Sequence, residues 1–115
     1  MKIEFVFLSG ARAGQRIDLA AQDRVRLGRH PDNDVVFDTQ RDLDVSGHHA
    51  ELRRESDDWY LIDPGSANGT FCGGHRITRL RLVGGEEVAF GAKGPRVRVQ
   101  FPELAARAPI PAPAP

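Results

Sequence analysis

The chain has 115 residues, with 16 Lys and Arg balanced by 16 Asp and Glu, and a single cysteine. That length holds one domain around one core and is too short for two. The even charge argues against a nucleic-acid partner, which selects for a basic excess, and one cysteine excludes an intrachain disulfide and points to a reducing compartment.

Strand patterns then follow one another along the chain. KIEFVFL sets Ile3, Phe5 and Phe7 against Lys2, Glu4 and Val6, the two-residue period of a half-buried strand. It alternates too cleanly, with too short an apolar run, for a secretory signal. No run elsewhere approaches the length of a membrane span, so the expectation is a soluble, cytoplasmic domain with no membrane partner. After the turn GARAGQ, RIDLA places Ile17 and Leu19 on one face, and RVRLG does the same with Val25 and Leu27. DVVF is short and bounded by polar clusters. HAELRRES presents Ala50 and Leu52. DWYLID offers either Trp59 and Leu61 or Tyr60 and Ile62 to the core, then ends in the loop DPGSANGT. TFCGGHRIT reads as a hairpin turning at Gly73-Gly74. GGEEVAFG and RVRVQF close the series. Turn signals recur at intervals of roughly 8–12 residues, the spacing of an all-β sandwich or barrel. From Pro102 the composition changes to PELAARAPIPAPAP, which has little to bury and favours an extended polyproline-type chain. The organisation expected is a folded domain over 1–101 and an Ala/Pro-rich tail or linker over 102–115.

The polar residues of interest fall between the strands. Arg29 ends one strand in LGRH, Ser46 and His49 precede another in DVSGHHAEL, and Asn68 lies in DPGSANGT. These residue types suit an oxyanion on an extended peptide. Arginine presents a planar fork to two phosphate oxygens, serine donates one short hydrogen bond, and an asparagine amide both donates and accepts, as a peptide backbone requires. A sandwich gathers its loops at two ends, so three such loops have the opportunity to meet. Other chemistry has less support. Ser46, His49 and Asp63 are the types of a hydrolase triad, but the chain has no GxSxG elbow. Cys72 and His75 belong to the hairpin. The histidines at 30, 48, 49 and 75, with Asp42 and Asp44, match no zinc spacing, and DTQRDLD lacks the glycine and terminal glutamate of a calcium loop. No catalytic residue, metal ligand set or cofactor is assigned.

Four features in order, Gly28-Arg29, Ser46-x-x-His49, Ser66-x-Asn68-Gly69-Thr70 and GGEEVAFG, resemble the forkhead-associated (FHA) domain. The resemblance runs from about Val25 to Phe101, and the preceding strands fit it. It implies an all-β, two-sheet β-sandwich of about eleven short strands, with loops at one end binding phosphothreonine in an extended peptide. On this resemblance Arg29 and Ser46 hold the phosphate, joined by the Gly47 backbone and the His48 side chain. Asn68, with the Ala67 backbone, holds the peptide main chain. Gly28, His49, Ser66, Gly69 and Thr70 shape and brace the loops. Partners would be a phosphothreonine-containing kinase, a kinase substrate or a segment of the same longer chain. The alternative is a scaffold of the same fold that binds a protein without phosphate. Two departures bear on that choice: Gly47 and Ala67 stand where the family often carries side chains that reach the phosphate. The loop DTQRDLDVS also carries Asp38, Asp42 and Asp44, which would repel a dianion if they faced it. Hydrogen bonds to a charged group contribute roughly 1.5–3 kcal/mol each. Arg29, Ser46 and one backbone N–H therefore supply on the order of 5–9 kcal/mol gross, against about 8 kcal/mol net for micromolar affinity.

Overall fold

The computed structural model describes residues 2–20 and 22–103. The expected tail falls mostly on 104–115, outside the described residues.

Eleven strands form: β1 (Lys2–Phe7), β2 (Arg16–Ala20), β3 (Arg24–Gly28), β4 (Val35–Val36), β5 (Ala50–Glu55), β6 (Asp58–Ile62), β7 (Thr70–Cys72), β8 (His75–Ile77), β9 (Arg79–Leu82), β10 (Glu86–Phe90) and β11 (Arg96–Gln100). They make two sheets, one ordered β2-β1-β11-β10-β7-β8 and the other β4-β3-β5-β6-β9. All pairs are antiparallel except β3 with β4.

Alternation along each strand decides which face is buried, because a one-residue slip would turn the whole apolar set outward. Ile3, Phe5 and Phe7 of β1, Val25 and Leu27 of β3, Ala50 and Leu52 of β5, and Val97 and Val99 of β11 all point into the core. On β6 the core takes Trp59 and Leu61, while Tyr60 and Ile62 lie on the other face, half-buried. Arg79 covers Tyr60, its guanidinium carbon 4.2 Å from the ring centroid. Ile17 and Leu19 are only half-buried, because β2 is an edge strand with one neighbour. Gly73 and Gly74 turn the β7–β8 hairpin with φ of 59° and 81°, the paired positive values that a two-residue hairpin turn needs and glycine supplies without strain. Phe101 stacks on Trp59 at 5.7 Å and is buried, so the core extends at least to that residue.

One strand is absent from the sequence reading. RLRL over β9 alternates Leu80 and Leu82 with two arginines and is separated from β8 by Thr78 alone. The chain changes sheets at that single residue, leaving no turn signal between the strands. Register with β6, pairing Trp59 with Leu82 and Leu61 with Leu80, defines it.

Candidate functional site

The site lies where β3 ends. Gly28 and Val36 are register partners in the parallel β3–β4 pair, and beyond them the chain continues pairing with the loop before β5. Arg29 N–H donates to the Ser46 carbonyl at 3.1 Å, and His30 N–H donates to the Gly47 carbonyl at 3.0 Å. This approach requires glycine at 28, since a Cβ there would lie 2.2 Å from the Gly47 carbonyl oxygen. Asn33 locks the arrangement from below. Its side-chain N–H₂ donates to both the His30 and Gly47 carbonyls, at 2.7 Å each.

The Arg29 guanidinium is half-buried and oriented before any ligand arrives. Nε donates to the Val45 carbonyl, and Nη1 donates to the Thr39 carbonyl at 3.0 Å. Of the five N–H donors that arginine carries, those on Nη2 have no partner among the described residues. Ser46 follows Val45 directly. Its Oγ accepts the Ala67 N–H at 3.2 Å, so its own proton remains available to donate. That single contact joins the loop before β5 to the loop between β6 and β7. Asn68 strengthens the junction, its Nδ2 donating to the Asp44 carbonyl at 2.9 Å. The amide nitrogen is thereby engaged within the protein, and Oδ1 has no hydrogen-bond partner among the described residues.

His49 is fully buried, with an edge-on contact to Phe90 at 5.2 Å between ring centroids. Its Nδ1 accepts the Ser46 N–H at 3.0 Å, and its Nε2 lies 2.9 Å from the Gly69 carbonyl. An amide N–H can only donate and a carbonyl can only accept, so Nδ1 carries no proton and the ring is the neutral tautomer with its proton on Nε2 facing Gly69. Burial agrees, pushing the imidazole below its ordinary range despite the opposing pull of the Gly69 carbonyl and the Asp63 charge. The Gly69 carbonyl also accepts the Gly91 N–H at 2.8 Å, tying in the loop after β10. Gly69 itself has φ +84°, and a Cβ there would lie 2.9 Å from the Arg76 Nε.

Asp63 organises the loop between β6 and β7. One carboxylate oxygen accepts the Gly65 and Ser66 N–H groups at 2.8 and 2.7 Å, and the other accepts the Ser66 and Thr70 hydroxyls at 2.6 and 2.8 Å. Ser66 Oγ in turn accepts the Gly69 N–H at 3.1 Å. Burial works against the Asp63 charge, but the donors from Ser66, Gly65 and Thr70 outweigh it and hold the carboxyl below its ordinary range. The sequence weighed Asp63 only as a triad member. Its place three residues before Ser66, the spacing of a carboxylate-capped turn, was the signal for its structural role. Asn33 was also missed, within a PDND cluster that reads simply as a turn.

The loop acids do not form an anionic wall. Asp42 is buried and accepts the Ala11 and Asp38 N–H groups at 3.0 and 3.2 Å. Asp38 accepts the Gln40 and Arg41 N–H groups at 2.9 and 2.8 Å. Both carboxylates hold their own loop, and Asp44 remains exposed. His48 lies against Asp32, with Nε2 2.9 Å from the carboxylate, its ring stacked on His30. The two departures also have structural form. Gly47 has open space where a side chain would project, with His30 Cβ 3.9 Å away as the nearest neighbour, and Ala67 contributes its N–H to Ser46. No helix among the described residues is long and apolar enough to cross a membrane.

Comparison with known proteins agrees with this fold. A family model described as FHA domain matches residues 25–91. The chain is 39% identical over 82 residues, 71% of its length and 54% of the relative's, to an oxoglutarate dehydrogenase inhibitor from Corynebacterium jeikeium. It spans about half the length of the curated relatives it matches. Among solved structures, the FHA domain of an Arabidopsis thaliana hypothetical protein superposes with a TM-score of 0.77 at 26% identity, covering 87% of this chain and 85% of that one. Mycobacterium tuberculosis EmbR in complex with a low-affinity phosphopeptide superposes with a TM-score of 0.68 at 25% identity, covering 86% of this chain and 24% of that one.

Proposed function

The chain belongs to the FHA domain family of phosphothreonine-dependent interaction modules, and we propose that its own phosphothreonine site is the tip built by Arg29, Ser46 and Asn68. Arg29 and the Ser46 hydroxyl hold the phosphate, assisted by the Gly47 backbone, and the Oδ1 of Asn68 accepts a peptide N–H just after the phosphothreonine. Gly28, His49, Ser66, Gly69 and Thr70 brace the loops. One observation carries this reading: a guanidinium anchored on the carbonyl of Val45, the residue before Ser46, and on that of Thr39 keeps Nη2 uncommitted, while the Arg29 N–H bonds the Ser46 carbonyl and the Ser46 hydroxyl proton is also uncommitted. A site oriented before binding loses less ordering entropy on capture, which matters where few side chains reach the ligand.

The module works by binding, in the cytoplasm, after a serine/threonine kinase has acted. Its partner is a kinase, a kinase substrate or a phosphorylated segment of a longer chain. Arg41 and Lys93 line a groove together with Asp42 and Asp44; the Asp42 carboxylate is spent on the Ala11 and Asp38 N–H groups, and the two cations suit acidic residues flanking the phosphothreonine.

Titration calorimetry with matched threonine and phosphothreonine peptides, with neutral and acidic flanks, tests this. The phosphopeptide should bind and the threonine peptide should not, and Arg29→Ala should lower affinity at least 100-fold, about 3 kcal/mol, through the loss of charge-assisted hydrogen bonds. Equal affinity for both peptides would instead favour the scaffold that binds without phosphate, a reading to which the bare Gly47 and Ala67 positions lend support.

A further inference from the structure

Folding gathers a ligand set that chain spacing conceals. His30 and His48, eighteen positions apart by number, stack with ring centroids 5.0 Å apart and planes inclined by 24°. Between them stands Asp32. His30 Nδ1 and His48 Nε2 both approach the same carboxylate oxygen, at 2.7 and 2.9 Å, and the three candidate donor atoms lie within 4.8 Å of one another. We propose that His30, Asp32 and His48 form a binding site for a divalent transition-metal ion of the zinc class, on the rim of the tip and separate from Arg29 and Ser46.

The donor chemistry fits such an ion. Two imidazoles and one carboxylate are borderline ligands that suit zinc, nickel or copper better than calcium or magnesium, which prefer oxygen. Three protein ligands leave a further position for water. Zinc bonds of about 2.0–2.2 Å separate tetrahedral donors by roughly 3.4 Å. The Asp32 oxygen must therefore withdraw by about 0.5–0.7 Å from the two ring nitrogens, and those nitrogens, within 4.8 Å of each other, must draw toward the ion, both motions of exposed side chains. All three residues are exposed, so an ion reaches them without opening the fold.

The backbone carrying the His30 ring is tied to Gly47, the residue before His48. His30 N–H is bonded to the Gly47 carbonyl, and the buried Asn33 side chain bridges the His30 and Gly47 carbonyls. Within the cluster, hydrogen bonds alone leave a conflict. His30 Nδ1 lies 3.2 Å from the Asp32 N–H, which asks it to accept, and 2.7 Å from the Asp32 carboxylate, which asks it to donate. A single nitrogen cannot do both. A cation between the rings settles the choice: the Nδ1 and His48 Nε2 lone pairs go to the metal, no proton is needed toward the carboxylate, and the exposed Asp32 N–H turns to water.

The test is calorimetric titration of the chelator-treated protein with zinc chloride alone, with magnesium chloride as the contrast. One equivalent of zinc should bind, magnesium should not, and His30→Ala, His48→Ala and Asp32→Ala should each weaken zinc at least tenfold. Cys72 and His75 face each other across the β7–β8 hairpin and are the competing pair, so Cys72→Ser and His75→Ala should leave the isotherm unchanged. No binding, or binding lost on the hairpin variants and kept in His30→Ala and His48→Ala, would overturn the assignment. These variants leave Arg29 and Ser46 intact, so failure here is separable from failure of phosphopeptide binding.

Discussion

Two groups of polar residues meet at the tip, and they differ in how completely their hydrogen-bonding capacity is used. His49, Asp63, Ser66 and Thr70 are turned inward. Both ring nitrogens of His49 and both carboxylate oxygens of Asp63 have backbone or hydroxyl partners. Arg29, Ser46 and Asn68 are each fixed by part of the side chain and keep another part unpaired. The first group makes the loops hold one shape, and the second is the set we propose that shape binds with. The distinction cannot be drawn from residue type, because Ser46 and Ser66 have the same chemistry.

Removing His49 gives the largest stability change the comparison predicts. His49→Ala leaves a cavity against Phe90 and strips the Ser46 N–H of its acceptor. An unsatisfied buried donor costs about 1–3 kcal/mol, and the cavity adds to that, so urea denaturation should show a loss of about 3–4 kcal/mol. The pH dependence carries its own sign. Folding depresses the His49 pKa below its ordinary 6.5, so above about pH 6.5 the ring is neutral in both states and its contribution is complete. As pH falls below that, the unfolded ring takes a proton that the folded one resists, and stability declines toward the lower folded value. The wild type should therefore weaken between pH 7.5 and 5.5 more steeply than His49→Ala. Asp63 loses its contribution only below the ordinary carboxylate value of 3.8, outside that window. Identical slopes in the two proteins would remove His49 from the buried brace.

The serine pair gives a narrower test. Ser46→Ala should weaken phosphopeptide binding roughly tenfold to 100-fold, one charge-assisted hydrogen bond, and change the urea midpoint little, since the Ala67 N–H it releases is at an exposed residue. Ser66→Ala should do the opposite, costing about 1–3 kcal/mol of stability because the buried Gly69 N–H and the Asp63 carboxylate both lose a partner. If Ser66→Ala lost affinity without losing stability, the division between brace and binding surface would have to be redrawn.

Much of the fold was legible because alternation is a local signal. Ile3, Phe5 and Phe7 announce the buried face of β1 without reference to any other strand. β9 was not legible because its arginines and leucines gain meaning only against β6. The same boundary runs through the site. Arg29, Ser46 and Asn68 stand out through motif order. The inward commitment of the Asn68 nitrogen, the four donors around Asp63 and the meeting of His30, Asp32 and His48 all depend on where one loop lies against another. The Asp38 and Asp42 carboxylates show the cost of reading charge without position. As a sequence they threaten a phosphate, and in the fold they satisfy backbone amides.

Gly47 offers the smallest effect and the sharpest contrast, because there the comparison predicts a gain. The position adjoins Ser46 on the proposed binding side of the tip: its carbonyl is held by His30 and Asn33, and the space a side chain would enter contains nothing nearer than His30 Cβ at 3.9 Å. Its φ lies outside the left-handed range, so an L-residue fits without backbone strain. Gly47→Arg would place a second guanidinium near the phosphate. A hydrogen bond to a charged group contributes roughly 1.5–3 kcal/mol, and ordering a long side chain takes back about 1–2 kcal/mol. The net is about 1 kcal/mol, a roughly fivefold tighter phosphothreonine peptide with no change for the threonine peptide. Gly28, one strand away, should behave in the reverse way, since a Cβ there collides with the Gly47 carbonyl. An affinity unchanged by Gly47→Arg in a protein that still folds would mean that the phosphate does not sit beside this loop, and the placement of Ser46 at its edge would go with it.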